Sequence, residues 1–269
     1  MTPVYQMRPL KFRAIWISDV HLGYKGCKAD YLLDFLKTTE TEYLFLVGDI
    51  VDVWSMKRNM FWPQSHNNVV RTILGKAKHG TKVIYIPGNH DEQFRDYAGM
   101  VFGNLEIHEE YEYTTLDGQR VLMVHGDKYD AVMKYGKVLS LLGNLGYDFL
   151  LYVNRLYDRL RRKLGFSYWS LAKFIKSKVK NAMKHVHHYE EVVAADAKHH
   201  GYDMVVCGHI HHADIRMIDD VLYCNDGDWI EHCTALVERQ DGKIELIHWS
   251  DRQIALKDVS GRPNIAQVA

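Results

Sequence analysis

Five short polar clusters, each closing an apolar run, carry the side chains in this sequence that could do chemistry. Residues 14–17 lead into Ser18-Asp19-Val20-His21, and residues 43–47 into Gly48-Asp49, with Asp52 three positions on. Residues 83–86 lead into Pro87-Gly88-Asn89-His90-Asp91, residues 121–124 into His125-Gly126-Asp127, and residues 204–207 into Gly208-His209-Ile210-His211. Groups placed at strand ends converge on one edge of a sheet, so side chains far apart in sequence can meet there. Asp19, His21, Asp49, Asn89, His125, His209 and His211 are therefore read as one metal cluster. Their oxygen and imidazole donors suit Mn²⁺ first, with Fe or Zn²⁺ as alternatives, and do not form a thiolate site. Seven ligands exceed what one ion takes. Two ions sharing a carboxylate, roughly 3.5–4 Å apart, are the economical arrangement, and such pairs clamp the attacking and leaving oxygens of a phosphoryl centre. A water held between the two loses a proton near neutral pH and serves as nucleophile, so no serine or cysteine nucleophile is needed. His90, next to Asn89, is placed to protonate the leaving oxygen, and Asn89 and His90 are read together as the catalytic pair.

A lone Asp-x-His says little, and a lone histidine is more often a core residue than a ligand; the specificity lies in all five clusters occurring in this order. His185, His187, His188, His199 and His200 sit among charged residues and read as surface, while His212 reads as loop support. Asp52 is read as orienting metal-bound histidines, and Asn225, Asp226 and Asp228 either in that way or as loop caps.

The elements that must position these groups follow from periodicity. Residues 29–37 read as a helix with Leu32, Leu33, Phe35 and Leu36 inward, and residues 67–78 as a second with Val69, Val70, Ile73, Leu74 and Ala77 inward and Gly80 as its stop. Strand, helix, strand is the alternation of an α/β fold. Residues 54–66, with Trp54, Arg58, Trp62, Gln64 and His66, read as a loop facing substrate or packed on the core, and Arg58 is a candidate substrate contact. Residues 111–115 and 120–124 form a hairpin about a Leu-Asp-Gly-Gln turn. Residues 221–224, 233–238 and 243–248 read as further strands. The expectation is two mixed sheets with helices outside and strand ends at one rim.

Composition fits a globular protein, 47% apolar and 25% charged, with formal net charge zero over 269 residues. The four cysteines show no metal-binding spacing and imply reduced thiols and a cytoplasmic setting. No stretch has the length and apolarity of a membrane span, and residues 1–12 lack a signal-peptide core. The neutral total conceals an asymmetry: residues 134–188 hold 12 Lys/Arg against Asp148 and Asp158. Phe149, Val153, Leu156, Leu160 and Leu164 make one helical stripe there, and Leu171, Phe174, Ile175, Val179, Ala182 and Val186 another. This is read as a basic amphipathic cap, expected over residues 131–188 within a single domain spanning 1–269, that meets an anionic membrane surface and shelters an acylated substrate. A helical hairpin with merely solvated basic faces is the plainer reading. Nucleic acid is a poorer fit to leucine-rich stripes, and no protein partner is expected.

The motif series Asp-x-His, Gly-Asp-x-x-Asp, Gly-Asn-His-Asp, His-Gly-Asp, Gly-His-x-His resembles that of the calcineurin-like metallophosphoesterases. The resemblance implies an αββα sandwich, with Asp19, His21 and His211 on one ion, Asn89, His125 and His209 on the other, and Asp49 bridging. Ser18-Asp19-Val20-His21-Leu22-Gly23, His125-Gly126-Asp127 and the insertion after it are most similar to the UDP-2,3-diacylglucosamine pyrophosphatases of lipid A biosynthesis. That likeness implies hydrolysis of a nucleotide-linked glycolipid to UMP and 2,3-diacylglucosamine 1-phosphate at the inner membrane, with the insertion as lid over the acyl chains. It maps substrate contacts onto Asp127, Asp130 and Tyr135. Best-known members of that group carry Arg where this chain has His90. A soluble metallophosphoesterase acting on cyclic nucleotides or other small phosphoesters is the alternative.

Overall fold

Strand β1 (Leu10–Ile17) is buried on both faces from Ala14 to Ile17, which is why it reads as an unbroken apolar run rather than an alternating one. In the computed structural model, which describes residues 9–131 and 186–250, the two faces serve two cores. Ile15 and Ile17 join Leu32, Phe35 and Leu36 of α1 (Ala29–Thr38) and Val69, Ile73 and Ala77 of α3 (Gln64–Lys78). Ala14 and Trp16 point the other way, the period-two consequence of strand geometry. They meet Val121, Met123, Met204, Val206 and Cys224 of a second sheet. Trp16 stacks on Phe45 at 5.3 Å between ring centroids, and its indole N–H donates to Met123 Sδ at 3.0 Å.

The first sheet adds β2 (Thr39–Val47), β3 (Lys82–Ile86), β4 (Val101–Phe102), β5 (Leu105–Ile107), β11 (Thr234–Glu238) and β12 (Ile244–His248) in the order β12-β11-β1-β2-β3-β5-β4. Pairing is parallel from β1 through β2 and β3 to β5 and antiparallel at both margins. The second is β6-β7-β8-β10-β9, made of β6 (Tyr111–Thr114), β7 (Arg120–Met123), β8 (Met204–Cys207), β9 (Asp214–Ile218) and β10 (Val221–Asn225), with parallel pairing only at β7-β8 and β8-β10. Two mixed sheets with helices outside match the expected fold class. Strands β1, β2, β3, β7 and β8 carry the five polar clusters at their carboxyl ends.

Three local expectations need correction. Leu74 is 52% exposed, because α3 buries His66, Val69, Ile73 and Ala77, and Leu74 stands one residue off that stripe. Residues 54–66 are not one loop: α2 (Val53–Arg58) is capped by Asp52, whose carboxylate accepts from Ser55 N at 2.7 Å, and α3 opens directly after Pro63. Strands β4, β5 and β9 were absent from the periodicity reading. β9 joins β10 through Asp219-Asp220, both at positive φ, the conformation of a primed hairpin turn.

Asp91 fastens two of the strand ends together. Its carboxylate accepts from the backbone N–H of Asp49 (3.2 Å), Ile50 (2.8 Å), Val51 (3.2 Å) and Gly88 (2.6 Å) and from the Tyr85 hydroxyl (2.6 Å). Burial of unsatisfied donors is costly, so Asp91→Ala is expected to lower unfolding free energy by about 3–5 kcal/mol. Urea denaturation measures this, and a loss under about 1 kcal/mol would mean water replaces the carboxylate without penalty.

Tertiary contacts divide the chain into two compact units, residues 1–127 with 194–269, and residues 128–193. The described part of the second comprises the turn at 128–131 and residues 186–193, which belong to a helix, α4, described over residues 186–199. Tyr129 and Tyr189 meet there edge to face at 6.3 Å. The expected cap at 131–188, with Tyr135 in it, lies almost wholly outside the described residues. No helix among the described residues is long and apolar enough to cross a membrane.

Candidate metal centre

The loops after the strands extend the sheet's parallel register. Asp19 N, Val20 N and His21 N donate to Gly48 O and Asp49 O at 2.9–3.0 Å, Leu22 N donates to Ile50 O at 2.9 Å, and Asp52 N returns to Leu22 O at 2.8 Å. Asp19, His21, Asp49, His209 and His211 all sit in the left-handed region, with φ between 49° and 68°. Non-glycine residues reach that region at an energetic cost, and such strain clusters where geometry serves a function. Two glycines allow the close approach. A Cβ on Gly48 would collide with the His125 ring, and one on Gly208 with Ser18 Oγ and Asp19 Oδ2.

Side chains from all five clusters converge. His211 Nε2 lies 3.1 Å from Asp19 Oδ1, His21 Nε2 lies 3.8 Å from both Asp19 Oδ1 and Asp49 Oδ2, and His125 Nε2 lies 3.4 Å from Asp49 Oδ2. Asp19, His21 and His211 can present ligand atoms within 4.8 Å of one another, as can Asp19, Asp49 and His125. Asp49 thus faces both flanks. His209 reaches the site through its backbone N–H, 2.8 Å from Asp19 Oδ2, and its ring lies 5.2 Å from that of His125. Asn89 comes from the β3 loop, whose next residue donates its backbone N–H to Asp49 Oδ1 at 2.8 Å. Asp19 Oδ1, His21 Nε2, Asn89 Oδ1 and His125 Nε2 are buried with no hydrogen-bond partner among the described residues. Buried polar atoms are ordinarily satisfied, so four such atoms in one cluster call for a missing partner. Hard oxygens and imidazole nitrogens without sulfur fit divalent cations of the manganese, iron or zinc kind.

The ring nitrogens that face away from the centre are fixed. His125 Nδ1 lies 2.9 Å from Val47 O, so Nδ1 keeps its proton and Nε2 is the nitrogen that a cation would take once its proton is displaced. His21 Nδ1 lies 3.2 Å from Asp52 Oδ2, and the other oxygen of the same carboxylate lies 3.0 Å from His90 Nδ1. Asp52 therefore faces a candidate ligand and the candidate acid while also capping α2, a role its sequence context did not indicate. His90 completes a further triplet with His21 and Asp49, and Trp54 leans on its ring at 4.5 Å.

Burial alone would lower the pKa of His21 and His125, but neighbouring carboxylates outweigh it. The nearby carboxylates of Asp19, Asp52 and Asp49, the second of them bonded to Nδ1, raise His21 to about 10. Asp49 and Asp19 do the same for His125, which also reaches about 10. Burial would raise Asp19; the His211 charge and bonds to His21 and His211 hold it well below the usual carboxylate range. Both imidazoles are thus protonated in the metal-free chain near neutral pH, and cations must displace those protons. Cation binding is expected to release roughly two protons per chain at pH 7 and to weaken as pH falls. Titration calorimetry in buffers of different ionisation enthalpy measures the release; none would contradict the assignment. For the metal-free fold, histidines raised from 6.5 to about 10 contribute stability fully below about pH 6.5, and that contribution is lost as pH rises through about 10.

Ser18, to which the sequence assigned no role, and Asn225, Asp226 and Asp228, whose roles it left open, support this arrangement. Ser18 Oγ lies 2.6 Å from Asp19 Oδ2 and 2.5 Å from Asp226 Oδ1. Asn225 Nδ2 donates to Gly208 O at 2.8 Å, holding the last loop. Asp228 accepts from the backbone N–H of Ile230, Glu231 and His232, and its Oδ2 is 3.8 Å from His211 Nδ1. Asp91, described above, is the largest omission; its signal was an acid closing the Gly-Asn-His turn. Among the candidate substrate contacts, Asp127 is engaged by Arg95, whose Nη2 reaches both carboxylate oxygens at 2.8 and 2.9 Å. Asp130 belongs to the second unit. Arg58 is exposed at the end of α2.

The family model of the calcineurin-like phosphoesterases matches residues 12–213. The DNA polymerase II small subunit of Methanothermobacter thermautotrophicus is 25% identical over 159 residues, 48% of this chain and 33% of that protein. The UDP-2,3-diacylglucosamine hydrolase of Aliivibrio fischeri is 28% identical over 126 residues, 42% of this chain and 47% of that one. That of Edwardsiella ictaluri is 26% identical over 207 residues, 73% of this chain and 75% of that one. The chain thus spans under half the length of the first two relatives.

Proposed function

Because this chain belongs to the calcineurin-like phosphoesterase family, we propose that it is a two-cation hydrolase that cleaves the pyrophosphate bond of UDP-2,3-diacylglucosamine, giving UMP and 2,3-diacylglucosamine 1-phosphate. The observation that supports a phosphoryl-transfer centre most is the set of buried, partnerless ligand atoms on Asp19, His21, Asn89 and His125. Asp19, His21 and His211 would hold one cation and Asn89, His125 and His209 the other, with Asp49 between them. Bound there, two divalent cations neutralise phosphoryl charge and lower the pKa of water. The protein's own part is positional. Val47 O and Asp52 fix the tautomers of His125 and His21, and the left-handed backbone turns aim the carboxylates inward. Asp52 also holds His90 Nδ1, leaving Nε2 to give its proton to a leaving oxygen.

The substrate reading is supported by likeness to the Aliivibrio and Edwardsiella proteins of that name and by the basic stretch 134–188. On this reading the protein works at the cytoplasmic face of the inner membrane. Manganese is the proposed metal.

The His90–Asp52 pair favours a second reading. An alkoxide needs a proton to leave, whereas a phosphate leaving group, with a second pKa of about 6, does not. A phosphodiester or monoester of an ordinary alcohol is therefore the alternative substrate. Measuring UMP released from UDP-2,3-diacylglucosamine in Mn²⁺, beside cyclic nucleotides and simple phosphoesters, separates the two. Turnover of the esters with none of the glycolipid would end the first reading.

A further inference from the structure

Beside the candidate centre lies a cleft of about 270 Å³ that the hydrolytic groups do not use. Its walls are Gly23, Tyr24 and Lys25 on one side and Ser55, Arg58 and Phe61 on the other. The walls adjoin the site along the chain. Gly23 follows His21 by two residues, and Ser55 Oγ donates to Asp52 Oδ2 at 2.8 Å. Trp54 and Arg58 stand at i and i+4 of α2, hence on one face, so a single helix edge runs from the His90 ring to the cleft.

The walls are fixed rather than loosely apposed. Gly23 N donates to His66 Nδ1 at 2.9 Å, and the buried His66 ring meets Phe61 and Trp62 edge to face, each at 5.6 Å. Gly23, at φ +108°, lies so close to Met56 that a Cβ would strike that side chain. One buried imidazole thus ties the loop after His21 to the aromatic segment after α2.

The chemistry of the walls is specific. Lys25 Nζ stands 5.9 Å from the Phe61 ring centroid. Neither Lys25 nor Arg58 has a carboxylate partner among the described residues. Two cations without carboxylate partners, in a cleft that also presents the Tyr24 and Phe61 rings, suit a ligand that is anionic at one point and flat at another: the cations take phosphate oxygens and the rings take a π-face.

We propose that this cleft is a nucleotide-recognition subsite, in which Lys25 and Arg58 hold a phosphate of the substrate and Phe61, with Tyr24, stacks on its base. It rests on the reading of the neighbouring centre as phosphohydrolytic, and it makes the preferred substrate one that carries a nucleotide.

Equilibrium binding of UMP, ribose 5-phosphate and inorganic phosphate to the full-length protein tests it by calorimetry, with Mn²⁺ and after EDTA treatment. UMP is expected to bind in both states and to bind about tenfold or more tighter than ribose 5-phosphate. Lys25→Glu/Arg58→Glu should weaken UMP about 10–100-fold, and Phe61→Ala should erase the advantage of UMP over ribose 5-phosphate while phosphate binding stays unchanged. Circular dichroism confirms that each variant is folded. Equal affinity for the three ligands, or UMP affinity indifferent to these substitutions, overturns the proposal, because the anion then sits among the site histidines. If UMP binds as described but no phosphoryl compound is hydrolysed, the subsite stands and the hydrolase reading fails.

Discussion

Asp49→Ala is expected to strip at least one cation from each chain and to reduce hydrolysis by about 10³-fold or more. The carboxylate faces His21 on one flank and His125 on the other, at 3.8 and 3.4 Å from Oδ2, and its Oδ1 accepts the His90 N–H. Removing it takes away charge that both flanks share. Losing the stabilisation that a metal gives a phosphoryl transition state costs several kcal/mol, and each 1.4 kcal/mol is about tenfold in rate. The backbone should survive, because Asp91 and the β1 loop hold residues 48–51 through main-chain groups. Plasma mass spectrometry of the folded variant gives the metal count. A variant that keeps two ions would move the shared position to another carboxylate.

His90→Ala separates binding from chemistry. Turnover on an ester with a poor leaving group should fall by roughly 10²–10⁴-fold, the usual worth of a positioned acid, while the metal count stays normal. The loss should shrink on nitrophenyl esters, whose leaving oxygen needs little help. Asp52→Asn should reproduce part of the loss, since Asp52 orients the ring through Nδ1 at 3.0 Å. It should also loosen metal binding through His21, by about 10–100-fold. An equal effect of His90→Ala on good and poor leaving groups would make His90 a ligand or a charge rather than an acid.

Much of this was legible in the sequence because the chemistry sits where strands stop. Each of β1, β2, β3, β7 and β8 is a short run of buried apolar residues followed at once by acids, amides or imidazoles, so the pattern marks both the element and its end. The supporting groups were harder to read. Asp91 and Asn225 act on backbone groups far away in sequence, and nothing in their neighbours indicates which N–H or carbonyl they will meet. Asp52 caps α2 as well as facing two histidines, and its place three residues after Asp49 indicates only the second. Strand β9 escaped notice since an edge strand needs only one apolar face, and in Asp214-Ile215-Arg216-Met217-Ile218 no residue is fully buried, four being half-buried and Met217 exposed. Leu74 misled because a helix stripe is narrow, and one residue's displacement turns a leucine to solvent.

The account depends on buried donor atoms of Asp19, His21, Asn89 and His125 being there to hold cations. Crystals grown with manganese, with anomalous diffraction recorded at the manganese edge, test this most directly. Two peaks are expected within the ring formed by Asp19, His21, Asp49, Asn89, His125, His209 and His211, roughly 3.5–4 Å apart, with Asp49 touching both. A map without peaks among those residues, or with manganese only at surface carboxylates, would contradict it.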